Sequence, residues 1–286
     1  MIIVRLMGGL GNQLFQYACG RALALRTGHE LVLDPSLLDT RSPTAPRCFN
    51  LGAFNIAARL STPEDTLEKP SWLDRVRRRL GLRVTAALNT LHEQGLRFNP
   101  GIFPAQFDRL CLVGYWQTEK YFHDCTDTIR RDLTPRAAPD PALCAQIDAV
   151  NSVSLHIRRG DYVADAKINS VHGTCALDYY RRAATHIASQ TCAPEYFVFT
   201  DDPGWARENL KLALPLHFVS DGKRANVEEL VLMSRCRHHI TANSSFSWWG
   251  AWLNPRHDKL VCAPRVWFHD PALDASDLVP DTWTRL

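Results

Sequence analysis

MIIVRLMGGLGNQLFQYACGRALALRTGHELVLD, residues 1–34, decides the fold. Met1 to Leu6 is an apolar run of strand length, and Gly8, Gly9 and Gly11 then make a turn. Leu14, Ala18 and Leu25 recur on one face of a helix from Asn12 to Thr27, Gly28 stops it, and His29 to Asp34 is a second strand. Strand, helix and strand in this order form a βαβ unit, the building block of a parallel sheet.

The same alternation returns further along. Ser152–Ile157, Glu195–Thr200, Leu216–Ser220, His238–Thr241 and Lys259–Ala263 read as strands. Between them, Leu177–Gln190, Trp205–Leu210, Val227–Arg237 and Ser245–Leu253 read as helices, which describes a parallel sheet covered on both faces. TPRAAPDP, residues 134–141, has three prolines in eight residues and marks a domain boundary, giving an N-terminal domain 1–138 and a C-terminal domain 139–286. Before it, Leu110–Trp116 is a strand and Thr118–Leu133 a helix. Residues 35–110 show few clear periods beyond a helix around Trp72–Leu80.

At 286 residues the chain is long enough for two domains, and 45% hydrophobic with 22% charged residues excludes disorder, a collagen-like repeat and a membrane bundle. A formal charge of +3, with 27 Arg and 6 Lys, is too small for a whole-protein nucleic-acid footprint. No apolar run reaches membrane-spanning length, and the first residues lack the pattern of a signal peptide. Nine cysteines without metal-ligand spacing read as reduced thiols in a cytoplasmic protein.

In a doubly wound sheet, ligands bind beyond the carboxyl ends of the strands. GGLGNQ, residues 8–13, places Gly9, Gly11 and Asn12 at a helix N-terminus, where backbone N–H groups can meet an anion; a tight turn needing positive φ explains the glycines equally well. It is neither a complete GxGxxG nor a P-loop, which argues against a dinucleotide-dependent oxidoreductase. HIRRGDY, residues 156–162, carries two arginines off a buried strand, and a guanidinium there can hold a phosphate and stabilise a departing diphosphate. Arg158 is the first choice and Arg159 the second, while a plain Arg159–Asp161 pair is the bland reading. His156 reads as a core histidine more readily than a catalyst.

Of Asp201 and Asp202 in TDD, one caps the following helix and the other contacts ligand hydroxyl or ring N–H groups, while plain helix capping explains both equally well. Asn243, Ser244 and Ser245 can surround a phosphate at a helix N-terminus, with Phe246 against a ring, whereas Trp248, Trp249 and Trp252 read as packing. Arg75, Arg77, Arg78 and Arg79 form either a solvated helix face or a route to peripheral contact with an anionic membrane.

GGLGNQLFQYA (8–18), HIRRGDY (156–162), TDD (200–202) and ANSSFSWWGAWLN (242–254), in this order across nearly the whole chain, closely resemble glycosyltransferase family 11, the α-1,2-fucosyltransferases. The resemblance implies an α/β GT-B fold of two Rossmann-like domains facing a cleft, the C-terminal one holding GDP-fucose and the N-terminal one on the acceptor side. It implies inverting transfer of L-fucose to the 2-hydroxyl of a galactose-terminated oligosaccharide or lipid-linked glycan, with no cofactor and no metal. Arg158 is then expected on the diphosphate, Asp161 and Asn12 near the donor sugar or acceptor, and Asn243 to Phe246 near diphosphate and fucose. Asp161 or His156 is the base by residue type. The absence of an N-terminal anchor resembles the bacterial members that work in the cytoplasm, at the inner face of the membrane. A nucleotide-sugar- or glycan-binding protein without turnover is the competing reading.

Overall fold

A computed structural model of the chain describes residues 1–38, 47–65 and 88–286. The chain divides into two compact units between Thr134 and Pro135, at the start of the proline-rich stretch. The Arg75–Arg79 segment and its expected helix lie outside the described residues.

The first unit is a five-stranded parallel sheet in the order β3-β2-β1-β5-β4, with β1 Ile2–Arg5, β2 Leu31–Asp34, β3 Arg59–Leu60, β4 Asn89–His92 and β5 Leu110–Val113. Helix α1 (Leu10–Thr27) connects β1 to β2 and ends at Gly28 in the left-handed conformation. The expected single apolar face is too narrow a description of α1. Leu14 and Ala18 are buried, but Leu25 is 44% exposed, and the early turns are buried on nearly every side. Two buried glutamines make this tolerable because their amides serve the backbone. Gln13 donates to the carbonyls of Gly8 and Cys48 and accepts from Asn50 N–H; Gln16 accepts from Met7 N–H and donates to Gly114 O.

The helix expected over Thr118–Leu133 is broken. Two single turns of 3₁₀ helix, Glu119–Tyr121 and His123–Cys125, precede α2 (Thr126–Asp132). The break falls at Phe122, whose φ of −139° lets the adjacent Tyr121 and Phe122 both be buried.

The second unit is a six-stranded parallel sheet in the order β11-β10-β9-β6-β7-β8. Its strands are β6 Asn151–Ile157, β7 Pro194–Thr200, β8 Leu216–Phe218, β9 His238–Ile240, β10 Val261–Ala263 and β11 Thr284–Arg285. Counted from β6, that is the 3-2-1-4-5-6 order of a Rossmann fold. The helices are α3 Pro141–Ala149, α4 Gly160–Ala164, α5 Ala166–His172, α6 Leu177–Ala188, α7 Pro203–Asn209, α8 Asn226–Arg235 and α9 Ser245–Leu253.

Strand β6 is buried on both faces. Val153, Leu155 and Ile157 join the core with Tyr179, Ala183 and Ile187 of α6. On its other face Ser154 Oγ lies 2.8 Å from His239 Nδ1, and Asn254 Nδ2 stands 2.8 Å from the second nitrogen of that ring. The tryptophans of α9 pack as expected: Trp248, Trp249 and Trp252 are buried, and Trp248 Nε1 donates to Leu278 O at 2.9 Å. All nine cysteines are free. Among the described residues no helix is long and apolar enough to cross a membrane.

Candidate active site

Strand order reverses between β6 and β9, so the crevice of the second unit lies where those strands end. Register then decides which side chains meet. Ile157 pairs with Thr200 at the carboxyl ends of β6 and β7, so Arg158 and Asp201 leave the sheet side by side. Arg158 Nη1 is 2.8 Å from Asp201 Oδ2, and its Nη2 is 2.6 Å from Asp161 Oδ1, one turn into α4. The guanidinium keeps 25% of its side-chain surface exposed and stands 5.4 Å from the Tyr162 ring centroid. Burial works against its charge, but the carboxylates of Asp201 and Asp161 prevail and hold its pKa above the ordinary arginine value.

The acidic partners are distributed differently from the sequence reading. Asp161 pairs with Arg158, not Arg159. Arg159 instead reaches Asp202 at 3.3 Å and lies 3.8 Å over the Trp205 ring, a packed cation–π contact. Asp202 is the helix cap, accepting Trp205 N–H at 3.1 Å. Asp201, expected on ligand, accepts Arg159 N–H at 2.8 Å in addition to its pair with Arg158. Both of its oxygens thus serve the start of the Arg158–Arg159 turn, and it braces the arginine.

Two further residues named from the sequence sit in packed surroundings. His156 is buried, and burial followed by the neighbouring Arg158 lowers its pKa to about 3. A ring that resists protonation so strongly is unsuited to act as a base; it packs 5.6 Å from Phe246 as a core histidine. The Asn243 side chain is engaged as an anchor. Its Nδ2 donates to the carbonyls of His172, Gly173 and Trp267, and its Oδ1 accepts from Cys175 Sγ. Ser244 caps α9 by accepting Phe246 N–H at 3.3 Å, so the α9 N-terminus, with Ser245 and Phe246 in its first turn, opens at the end of β9. Tyr162 links the two sides by donating its hydroxyl to Asn243 O at 3.3 Å.

Gly9, Gly11 and Asn12 form their own cluster in the first unit. Gly9 is the N-cap of α1, Gly11 is buried in its first turn, and Asn12 Oδ1 accepts from Gln117 Nε2 at 2.8 Å.

Glu229 was not singled out by sequence. It lies in the first turn of α8, and burial raises its carboxyl to about 7 against a lowering hydrogen bond with Ser220. Ser220 follows β8 and also accepts Thr200 N–H at 2.8 Å, so Glu229 belongs to the same carboxyl edge as Asp201. A helix-start acid looks like any dipole partner in sequence; only its burial distinguishes it. Among the described residues no three His, Cys, Asp or Glu side chains group to hold a metal.

The model of glycosyl transferase family 11 matches residues 103–286. An α-1,2-colitosyltransferase of Escherichia coli is 32% identical over 293 residues, covering 100% of this chain and 99% of the relative. The O-antigen biosynthesis glycosyltransferase WbnK of Escherichia coli is 34% identical over 307 residues, covering 98% and 99%. FUT1 of Arabidopsis thaliana, solved in complex with GDP, superposes with a TM-score of 0.53 at 13% identity, over 91% of this chain and 69% of that one. Apo POFUT1 gives 0.52 at 13%, over 92% and 97%. The fold is the GT-B type implied by the motifs. With its Arg158-centred crevice in that fold and full-length relatives above 30% identity, the chain belongs to glycosyl transferase family 11 and is a glycosyltransferase.

Proposed function

We propose that the protein is an inverting transferase that moves L-fucose from GDP-β-L-fucose to the 2-hydroxyl of a galactose in a surface glycan. The observation that carries this reading is Arg158, a cation fixed between Asp161 and Asp201 at the topological switch point. In the transfer, the bond from the sugar's anomeric carbon to the β-phosphate oxygen breaks while the bond to the acceptor oxygen forms. Negative charge collects on GDP, the sugar becomes cation-like, and the acceptor's proton leaves to a base. A prefixed guanidinium and the N-terminus of α9 would stabilise the departing diphosphate without reorganising, so the scheme needs no metal. Asp161 is the base we favour, since the environment of His156 opposes proton uptake. Glu229 suits the base of the nucleotide: guanine offers adjacent N–H donors that one carboxylate can accept together.

A second donor is favoured by one of the relatives, the α-1,2-colitosyltransferase. Colitose is fucose without its 3-hydroxyl, so the same crevice would admit it unless a group there requires that hydroxyl. The purified protein should be incubated with GDP-L-fucose or GDP-L-colitose and galactose-ended oligosaccharides, with and without EDTA, and product linkages assigned by NMR. An EDTA-resistant α-1,2-fucoside supports the reading; a product formed only from GDP-colitose moves it to the second donor. GDP binding without any product would return the protein to a binding role. A lipid-linked acceptor and peripheral membrane contact belong to the same proposal, tested by co-sedimentation with anionic vesicles.

A further inference from the structure

His172, the last residue of α5, is held from several sides, yet its ring bonds nothing. Asn243 Nδ2 donates to its carbonyl at 2.8 Å, and the N–H groups of His269 and Asp270 both donate to Val171 O, at 2.8 and 3.2 Å. Gly173, at a φ of +59°, is bare because a Cβ there would run into the His269 ring. The imidazole stacks on Tyr162, with ring centroids 4.7 Å apart and planes 15° from parallel, and lies 5.3 Å from the Phe268 ring. Tyr162 is fixed in turn: Asn169 Nδ2 donates to its carbonyl at 2.6 Å, and Arg158 stands 5.4 Å from its ring centroid. The fold thus carries His172 to the Arg158 crevice, one aromatic ring away from the cation.

Neither ring nitrogen of His172 has a hydrogen-bond partner among the described residues, and Nδ1 is sealed from solvent. A ring needed only to pack on Tyr162 and Phe268 would be served better by phenylalanine, since a buried polar atom left unpaired costs about 1–3 kcal/mol. The nitrogens therefore call for a use. Burial keeps the ring neutral, lowering its pKa below the ordinary histidine value against the pull of Asp161, and Arg158 opposes a second cation. A neutral imidazole carries one hydrogen, and buried donors go unpaired less readily than buried acceptors, so Nδ1 stays bare and the hydrogen sits on Nε2. His172 is half-buried as a residue, and Nε2 is the ring nitrogen that is not sealed. An uncharged N–H donor suits an uncharged oxygen, whereas a phosphate at that distance would draw a second proton onto the ring.

We propose that His172 binds the transferred sugar, its Nε2–H donating to a sugar hydroxyl while the Tyr162 and Phe268 rings hold the imidazole in place. The inference rests on the donor being GDP-L-fucose, as proposed above. The full chain is titrated calorimetrically with GDP and with GDP-L-fucose in the absence of acceptor. His172→Phe keeps the stack and has no donor; it should bind GDP as wild type does and GDP-fucose about ten-fold more weakly. His172→Gln, whose Nε2 can stand where the imidazole Nε2 stood, should recover most of that loss. On wild type alone, histidine 15N NMR should find the Nε2–H tautomer at His172, and that resonance should shift with GDP-fucose and not with GDP. GDP-fucose affinity equal to wild type in His172→Phe would overturn the inference. So would a Phe variant, folded by its thermal melt, that loses GDP to the same extent, or a His172 resonance indifferent to the sugar. A wild type that binds GDP but not GDP-fucose would overturn the donor reading as well, a failure seen without any variant.

Discussion

Arg158 and Asp201 stand 2.8 Å apart because Ile157 and Thr200 close β6 and β7 at the same level of one sheet. The contact is thus a consequence of register, and it converts a flexible arginine into a fixed cation. With Asp161 on its second nitrogen, the guanidinium has both edges oriented before any ligand arrives. Preorganised charge of this kind is most effective where charge develops on a leaving group.

Replacing Arg158 should therefore damage catalysis more than folding. Arg158→Lys keeps the charge but cannot bridge two carboxylates with a planar fork. Its kcat is expected to fall about 10²–10³-fold. Arg158→Ala should lose at least as much activity, and about 1–3 kcal/mol of stability, because Asp161 and Asp201 are left facing one another half-buried. Steady-state kinetics beside urea melts separate the two effects; a Lys variant with normal kcat would remove Arg158 from the mechanism.

Gly160 tests the brace without replacing a charged residue. A Cβ there would come 2.5 Å from Asp201 Oδ2, so Gly160→Ala must displace the carboxylate that holds Arg158. Activity is expected to drop by about an order of magnitude, by the misplacement argument that applies to any positioned group. Gly204, in α7, is the control: a Cβ there meets nothing within 4 Å, and Gly204→Ala should leave kcat alone while adding up to about 1 kcal/mol of helix stability. Equal kinetics for the two variants would count against the brace.

What sequence made legible follows from what burial imposes. Strands such as β6 and β7 are covered on both faces, so they read as apolar runs with sharp ends, and α9 announces itself by Ser244 before a cluster of tryptophans. Helix α3 starts where the proline-rich boundary ends and goes unread in the sequence, although Asp140 caps it and Pro141 opens it. The partners inside the site were not legible either. Arg158 and Arg159 are adjacent, and only the direction each takes on leaving β6 decides which meets Asp161. Likewise the withdrawal of Glu229 from water, and the Ser220 hydroxyl that meets it from the chain after β8, are tertiary facts. Pattern reports which face is inside; it does not report which polar groups meet there.

Asn243 is expected to behave as an anchor. Its amide joins the carbonyls of His172, Gly173 and Trp267, fastening the α5 end to the loop after β10. Asn243→Ala leaves those buried carbonyls without their donor and should cost about 1–3 kcal/mol in denaturant melts. A variant as stable as wild type that loses GDP binding would restore the phosphate-ligand reading.

In the first unit, Asp132 Oδ2 accepts from Tyr17 Oη and Arg21 Nε, both at 2.8 Å, while the Tyr17 hydroxyl accepts Ala57 N–H at 3.0 Å. This network ties α1 to α2. Tyr17→Phe should lose about 1–2 kcal/mol, and Asp132→Ala about 2–4 kcal/mol, since it strands two donors at once. Melting temperatures should fall in that order while kcat per folded molecule holds; a large kcat loss in folded Tyr17→Phe would place the network in the chemistry.

Glu229 gives the pH dependence. Burial raises its carboxyl from 4.5 to about 7 in the folded protein, so between those values the folded state holds a proton that the unfolded chain has released. Stability of the ligand-free protein should therefore fall as pH rises through that window, by up to about 3 kcal/mol, and level off above it. Glu229→Gln has no such proton to lose. It should match wild type near the lower end of the window and exceed it in stability above the upper end. Nucleotide binding should run the other way, because accepting adjacent N–H groups requires the ionised carboxylate. GDP affinity of wild type should rise between pH 5.5 and 8 by about ten-fold, and that rise should vanish in Glu229→Gln, which binds GDP weakly throughout. Calorimetric titration with GDP at three pH values decides it. A Gln variant that keeps both the affinity and its pH profile would remove Glu229 from the nucleotide site, leaving its raised pKa a consequence of burial alone.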